Sequence, residues 1–190
     1  MMQSQTAIQH DKPLLSPRAP AGEEARVDAV FSAVKQRLGF IPDALRIYSF
    51  SPTLLENFVG NISYFNSGER IAPRLMAMIR YLVSWESKCT FCIDMNEGML
   101  THMGLEPDDI RAARNNPELA PVSAREKILL NIALKSVNAP ENVSDQDIQA
   151  AKSHGWTERD IFDAVVQATG NRALSSILRT FNIESQGAFA

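Results

Sequence analysis

The only cysteines in this 190-residue chain stand three apart, as Cys89-Thr90-Phe91-Cys92. On a helix, residues i and i+3 share a face, and sulfurs on that face need only a small adjustment to form a disulfide. Such a pair is able to cycle between dithiol and disulfide. At a helix N-terminus the free backbone N–H groups and the macrodipole stabilise a thiolate, and Lys88 adds a positive charge nearby, so one cysteine should ionise more readily than a free thiol. A thiolate attacks a peroxide oxygen to give a sulfenic acid, and a neighbouring thiol then displaces water to close the disulfide.

Two competing uses have to be weighed. Cysteine is among the most buried residue types, so the pair is also compatible with inert packing on an amphipathic helix. A zinc site needs two more ligands, and His102 and His154 are each isolated in sequence, with no second paired motif. Redox chemistry is the better expectation, with no metal and no organic cofactor.

The rest of the composition describes the setting of that pair. A 45% hydrophobic and 22% charged chain of this length is ordinary for a globular protein and long enough for a substantial core. A net charge of −3 with scattered Lys and Arg provides no basic stripe, so nucleic acid is not an expected partner. Met1 to His10 lacks a basic segment followed by an apolar run, and no stretch approaches the roughly 20 apolar residues of a membrane span. The expectation is a cytoplasmic protein that does not act at a membrane.

The elements that must position the cysteines read as helices throughout. Residues 1–21, with Pro13, Pro17 and Pro20, are expected to form an extended or disordered lead-in, and residues 22–190 a single all-helical domain. Val27, Val30, Phe31, Val34 and Leu38 recur at helical spacing before Gly39. Pro42 starts a short helix, and Ser51-Pro52 supplies an N-cap and first turn for Leu54 through Phe65. Pro73 opens a helix whose apolar residues cover most of its circumference, which predicts a central, buried position. The cysteine helix is expected from about Lys88 to Met103, followed by a short helix at Pro107. Ser123-Ala124-Arg125-Glu126 has the form of a capping box, Ser144 and Thr157 are further starts, and Gly170-Asn171 is a candidate bend in the last helix. No segment alternates like a strand.

The stretch from Leu82 to Cys92, with the helix before it, resembles the core of the alkylhydroperoxidase D-like proteins in the carboxymuconolactone decarboxylase superfamily. Leu38 to Leu45 followed by Ser51-Pro52 resembles the entry of the peroxidase-related branch. Ser123 through Lys135 and the helices to about Phe181 resemble its C-terminal half, so the likeness spans roughly residues 25 to 185. It implies an all-α bundle of about eight or nine helices that assembles into a homo-oligomer, reduces a hydroperoxide, and is itself reduced by an external dithiol. It also implies Cys92 as the attacking thiol and Cys89 as the resolving one, whereas the helix N-terminus by itself favours Cys89 as the more acidic.

The sequence departs from that pattern at two positions. Peroxidases of the family carry a Glu twelve residues before the first cysteine and a His four after the second, and these positions are Ala77 and Asn96. Neither residue exchanges a proton near neutral pH. Glu86, three residues before Cys89, is the candidate to transfer protons instead. Glu97 is turned off the cysteine face, and His102 lies nearly three turns from Cys92, about 15 Å along the axis. Trp85, with Lys88 and Asn96, is expected to neighbour the site, and Tyr81 is a further pocket candidate. Two rival readings stand beside this one: a redox-sensing or non-enzymatic module that retains the cysteines, which the missing relay favours, and the superfamily's decarboxylase branch acting on a small lactone, against which the Cys-x-x-Cys pair counts.

Overall fold

The computed structural model describes residues 12–183 and contains no strand among them. Nine α-helices run in the order α1 (Glu24–Leu38), α2 (Asp43–Arg46), α3 (Pro52–Asn66), α4 (Pro73–Glu86), α5 (Thr90–His102), α6 (Pro107–Ala112), α7 (Ala124–Asn138), α8 (Asp145–Ser153) and α9 (Glu158–Thr180), with short 3-10 turns among the connections. None is long and apolar enough to cross a membrane.

Local sequence sets the helix starts. Ser51 Oγ accepts the Leu54 N–H with Pro52 in the first turn. Ser123 with Glu126, Ser144 with Asp147 and Thr157 with Asp160 each form a reciprocal capping box, satisfying amide donors that a helix start leaves open.

Helix α4 is the centre of the bundle, packed on α5, α7 and α9. Its residues Leu75, Ala77, Met78, Ile79, Tyr81 and Val83 are fully buried, as an apolar circumference requires. They join Leu129, Leu130 and Ala133 of α7 and Ile161, Ala164 and Ala168 of α9 in the main core. Helices α1, α2 and α3 close a smaller cluster through Val27, Val34, Leu45 and Leu55. A third cluster surrounds the cysteines with Ala44, Ile47, Phe91, Leu174, Leu178 and Ile183.

Two features of the chain bear on the surroundings of this third cluster. Helix α9 runs unbroken through Gly170 and Asn171, and Asn171 is buried and bonded to α4, so its polarity serves contact between helices. Residues 12–20 carry no helix but do not stand clear of the body. The Leu14 N–H donates to the Phe181 carbonyl at 3.0 Å, Asn182 Nδ2 donates to the Lys12 carbonyl at 3.0 Å, and Leu15 packs against the cysteine cluster. The part of the lead-in before Lys12 and the residues after Ile183 lie outside the described residues.

Candidate functional site

The turn between α4 and α5 creates the site. Helix α4 ends in a Schellman arrangement: the Lys88 N–H donates to the Trp85 carbonyl and the Cys89 N–H to the Ser84 carbonyl. Lys88 occupies the left-handed position of that motif, with φ 54°, where glycine carries no side-chain penalty. Cys89 then caps α5, its Sγ accepting the Cys92 N–H at 3.4 Å. One residue thus closes one helix and opens the next, so the helix begins at Thr90, two residues later than the sequence suggested. Lys88→Gly is expected to stabilise the protein by about 0.5–1 kcal/mol, read as a higher urea midpoint with unchanged slope.

The two sulfurs lie 2.7 Å apart, with Cys89 Sγ donating to Cys92 Sγ while both are neutral; once Cys89 ionises, Cys92 is the thiol left to donate. A disulfide needs about 2.05 Å, so closure asks for little movement. The Cys92 thiol donating to Cys89 pulls the Cys89 pKa down to about 7; burial opposes this, and the Cys92 N–H, Ser175 and the positive charge of Arg179 add to it. Cys92 is pushed the other way, first because it is the donor to Cys89 and then by burial. The pair is therefore unequal, Cys89 being the thiol that ionises more readily and Cys92 the one that holds its proton. Cys92→Ala is expected to return Cys89 toward the ordinary thiol value of about 8.5. Cys92→Ser retains a donor and keeps Cys89 low. A thiolate is the deprotonated form, so its ultraviolet absorbance rises with pH. The wild-type rise centres near pH 7 and that of the alanine variant later.

The other expected site residues divide into two groups. Asn96 is fully buried on the thiol side; its Nδ2 donates to the Cys92 carbonyl at 2.8 Å and its Oδ1 accepts Arg80 Nε at 2.8 Å. It braces α5 against α4, with its amide on the backbone of Cys92. Ala77 is buried in the main core. Trp85, Glu86 and Lys88 instead line a groove of about 550 Å³ with Thr90, Ile93 and Arg114. Glu86 forms its ion pair with Arg172 at 3.4 Å. The Arg114 guanidinium lies 4.3 Å over the Trp85 ring and also pairs with Glu97, which holds Tyr81 and Arg111 as well. His102 and His154 are exposed at helix ends, each with a ring nitrogen against a carbonyl four residues back. Among the described residues no three His, Cys, Asp or Glu side chains come together to hold a metal.

Sequence reasoning missed the contribution of α9. Ser175, fully buried, directs its Oγ to Cys92 Sγ at 3.7 Å. Arg179 Nη1 donates to the Ser87 carbonyl at 3.0 Å, pinning the turn next to Cys89. Asn171 Nδ2 donates to Ser84 Oγ and to the Arg80 carbonyl. These three residues recur at i, i+4 and i+8, a polar stripe beside Leu174 and Leu178 that was a readable signal of a polar face turned inward.

No family model and no curated protein matches the sequence. Solved structures do match the fold. A peroxidase-related protein from Silicibacter sp. TM1040 is similar at TM-score 0.82 and 20% identity, covering 97% of each chain. An alkylhydroperoxidase D core protein from Ralstonia eutropha JMP134, also peroxidase-related, is similar at TM-score 0.79 and 19% identity over 95% of this chain and 96% of that one. A debrominase in complex with 2,3,4-tribromopyrrole is similar at TM-score 0.74 and 14% identity over 94% and 96%. The chain therefore has the all-α fold of the alkylhydroperoxidase D-like proteins, the fold of the peroxidase-related branch that the sequence around Cys89 and Cys92 resembles.

Proposed function

We propose that this protein is a thiol-dependent peroxidase that reduces a hydroperoxide through a Cys89/Cys92 dithiol–disulfide cycle and is recharged by an external dithiol. The observation that carries the reading is the geometry of the pair: two thiols 2.7 Å apart, with Cys89 Sγ accepting the Cys92 N–H at the start of α5. The reading assigns Cys89 as the attacking thiol and Cys92 as the resolving one, the order favoured by the helix N-terminus and opposite to the one implied by the resemblance.

The Cys89 thiolate attacks a peroxide oxygen and the O–O bond breaks. Two electrons pass from sulfur to the leaving alkoxide, which takes a proton from solvent and departs as the alcohol. The Cys92 sulfur then attacks the Cys89 sulfenic acid, the S–O bond breaks, and the hydroxyl leaves with the Cys92 proton as water. An external dithiol returns both electrons and both protons. This sequence places no acid–base demand on positions 77 and 96, because the second proton travels from Cys92 itself. Both sulfurs are almost wholly covered, so an oxidant reaches them when part of that cover moves.

The test is to add one equivalent of an organic hydroperoxide to the reduced protein and follow free thiols and intact mass. Loss of both thiols within seconds to minutes with a two-hydrogen mass decrease supports the reading. Thiols that persist for hours sink it and favour the non-enzymatic module. Reductive dehalogenation is a second reading, favoured by the fold shared with the debrominase. It would take the same two electrons from the same pair, so a bromopyrrole belongs in the assay as an alternative oxidant, with bromide release as its readout.

A further inference from the structure

Hydroxyls on these helices usually give their proton to a backbone carbonyl one turn back, as Ser84, Thr169, Ser176 and Thr180 do. Ser175 departs from that habit. Its Oγ faces Cys92 Sγ at 3.7 Å in a position with no solvent exposure. It is placed from α9, a helix that carries neither cysteine, by the same buried stripe that bonds Asn171 to α4. A buried hydroxyl that gives up its helical carbonyl for a sulfur is supplying a donor to that sulfur.

In the neutral pair Cys92 Sγ already accepts from Cys89 and from Ser175, and once Cys89 has become a sulfenic acid its thiol donor is gone and Ser175 remains. The demand on that donor arises one step later. As Cys92 attacks the sulfenic sulfur of Cys89, its own proton moves onto the departing hydroxyl, and negative charge develops on Cys92 until the S–S bond is made. Water is excluded there, so a fixed donor matters more than it would in solvent.

Resting on the peroxidase reading above, we infer that Ser175 serves the second half of the cycle: its hydroxyl donates to Cys92 Sγ while that sulfur loses its proton and closes the disulfide. The oxidation balances as before, with peroxide as the two-electron acceptor and Ser175 unchanged at the end. Ser175 thus assists at the step where the missing His and Glu would otherwise handle protons, and it does so as a neutral donor.

The experiment resolves the two steps by stopped flow, with a sulfenic-acid trap and thiol counting after one equivalent of organic hydroperoxide. Measured at a pH where Cys89 is ionised with or without Ser175, Ser175→Ala is expected to leave the rate of sulfenic acid formation within about twofold and to lengthen the lifetime of that species about tenfold, the loss of one hydrogen bond to a charged group. Ser87→Ala, which removes a buried hydroxyl bonded to a carbonyl near the same turn, is expected to change neither step. Ser175→Thr keeps the donor and is expected to keep the short lifetime. An unchanged lifetime in Ser175→Ala, or equal slowing of both steps, overturns the role of Ser175. If wild-type protein forms no sulfenic acid and no disulfide, the peroxidase reading itself has failed, an outcome distinct from either of those.

Discussion

Replacing Cys89 with Ala should reduce the rate of hydroperoxide consumption at pH 7 by at least about a thousandfold, because it removes the nucleophile and leaves Cys92 as a fully buried thiol whose surroundings disfavour the thiolate. Cys92→Ser should behave differently. Its first step keeps most of the wild-type rate, since Cys89 retains its place at the helix start and a hydroxyl donor beside it, but the disulfide cannot close. One equivalent of peroxide then leaves a sulfenic acid on Cys89 that a trapping reagent captures and mass spectrometry locates. The opposite result, a trapped sulfenic acid on Cys92 in Cys89→Ser and none in Cys92→Ser, would reverse the assignment of attacking and resolving thiols. The rate of the first step should also rise with pH to a plateau, with its midpoint near 7, the direction expected for a thiolate nucleophile.

The largest effect on stability is expected from Phe91→Ala. Phe91 lies between the cysteines, is 1% exposed, and packs into the cluster that holds them with Leu174, Leu178 and Ile183. Truncating a buried phenylalanine costs about 3–5 kcal/mol through lost transfer free energy and the cavity left behind. The wild type and Phe91→Ala are compared in urea at pH 7 under reducing conditions. The cost should come with faster alkylation of both thiols by a bulky reagent below the unfolding transition, because the cavity opens beside the sulfurs. A loss under 1 kcal/mol would mean that the cluster collapses around the gap and that Phe91 does not set the packing of the pair.

Much of this was legible in the sequence. Proline and capping-box starts marked the helices, and the all-round apolar pattern of Pro73 to Glu86 identified the central one, because local hydrogen bonding and burial act through neighbours in the chain. The cysteine pair was legible for the same reason, since three-residue spacing on a helix is a local fact. Glu86, Lys88 and Trp85 were read as neighbours of the thiols because they are close in sequence. The left-handed turn at Lys88 separates the two sides, so all three line the outer groove while the sulfurs face α9. The contributions of Ser175 and Arg179 depend on how α9 packs against that turn more than eighty residues away, and no local pattern encodes a contact of that range. Only the i, i+4, i+8 stripe on α9 hinted at it.

The clasp of Leu14 to Phe181 and of Asn182 to Lys12 bears on how kinetics of this protein are to be interpreted. It holds the first and last described segments together beside a pair of cysteines that are only 1% and 0% exposed. When reactive groups are shielded in this way, each reaction waits for a local opening, and at high oxidant the observed rate levels off at the frequency of that opening. A saturation curve measured on this protein would then describe a gate, and its half-point would carry no information on affinity for any oxidant. Oxidants of very different chemistry would share one ceiling, and urea well below the unfolding transition would raise it.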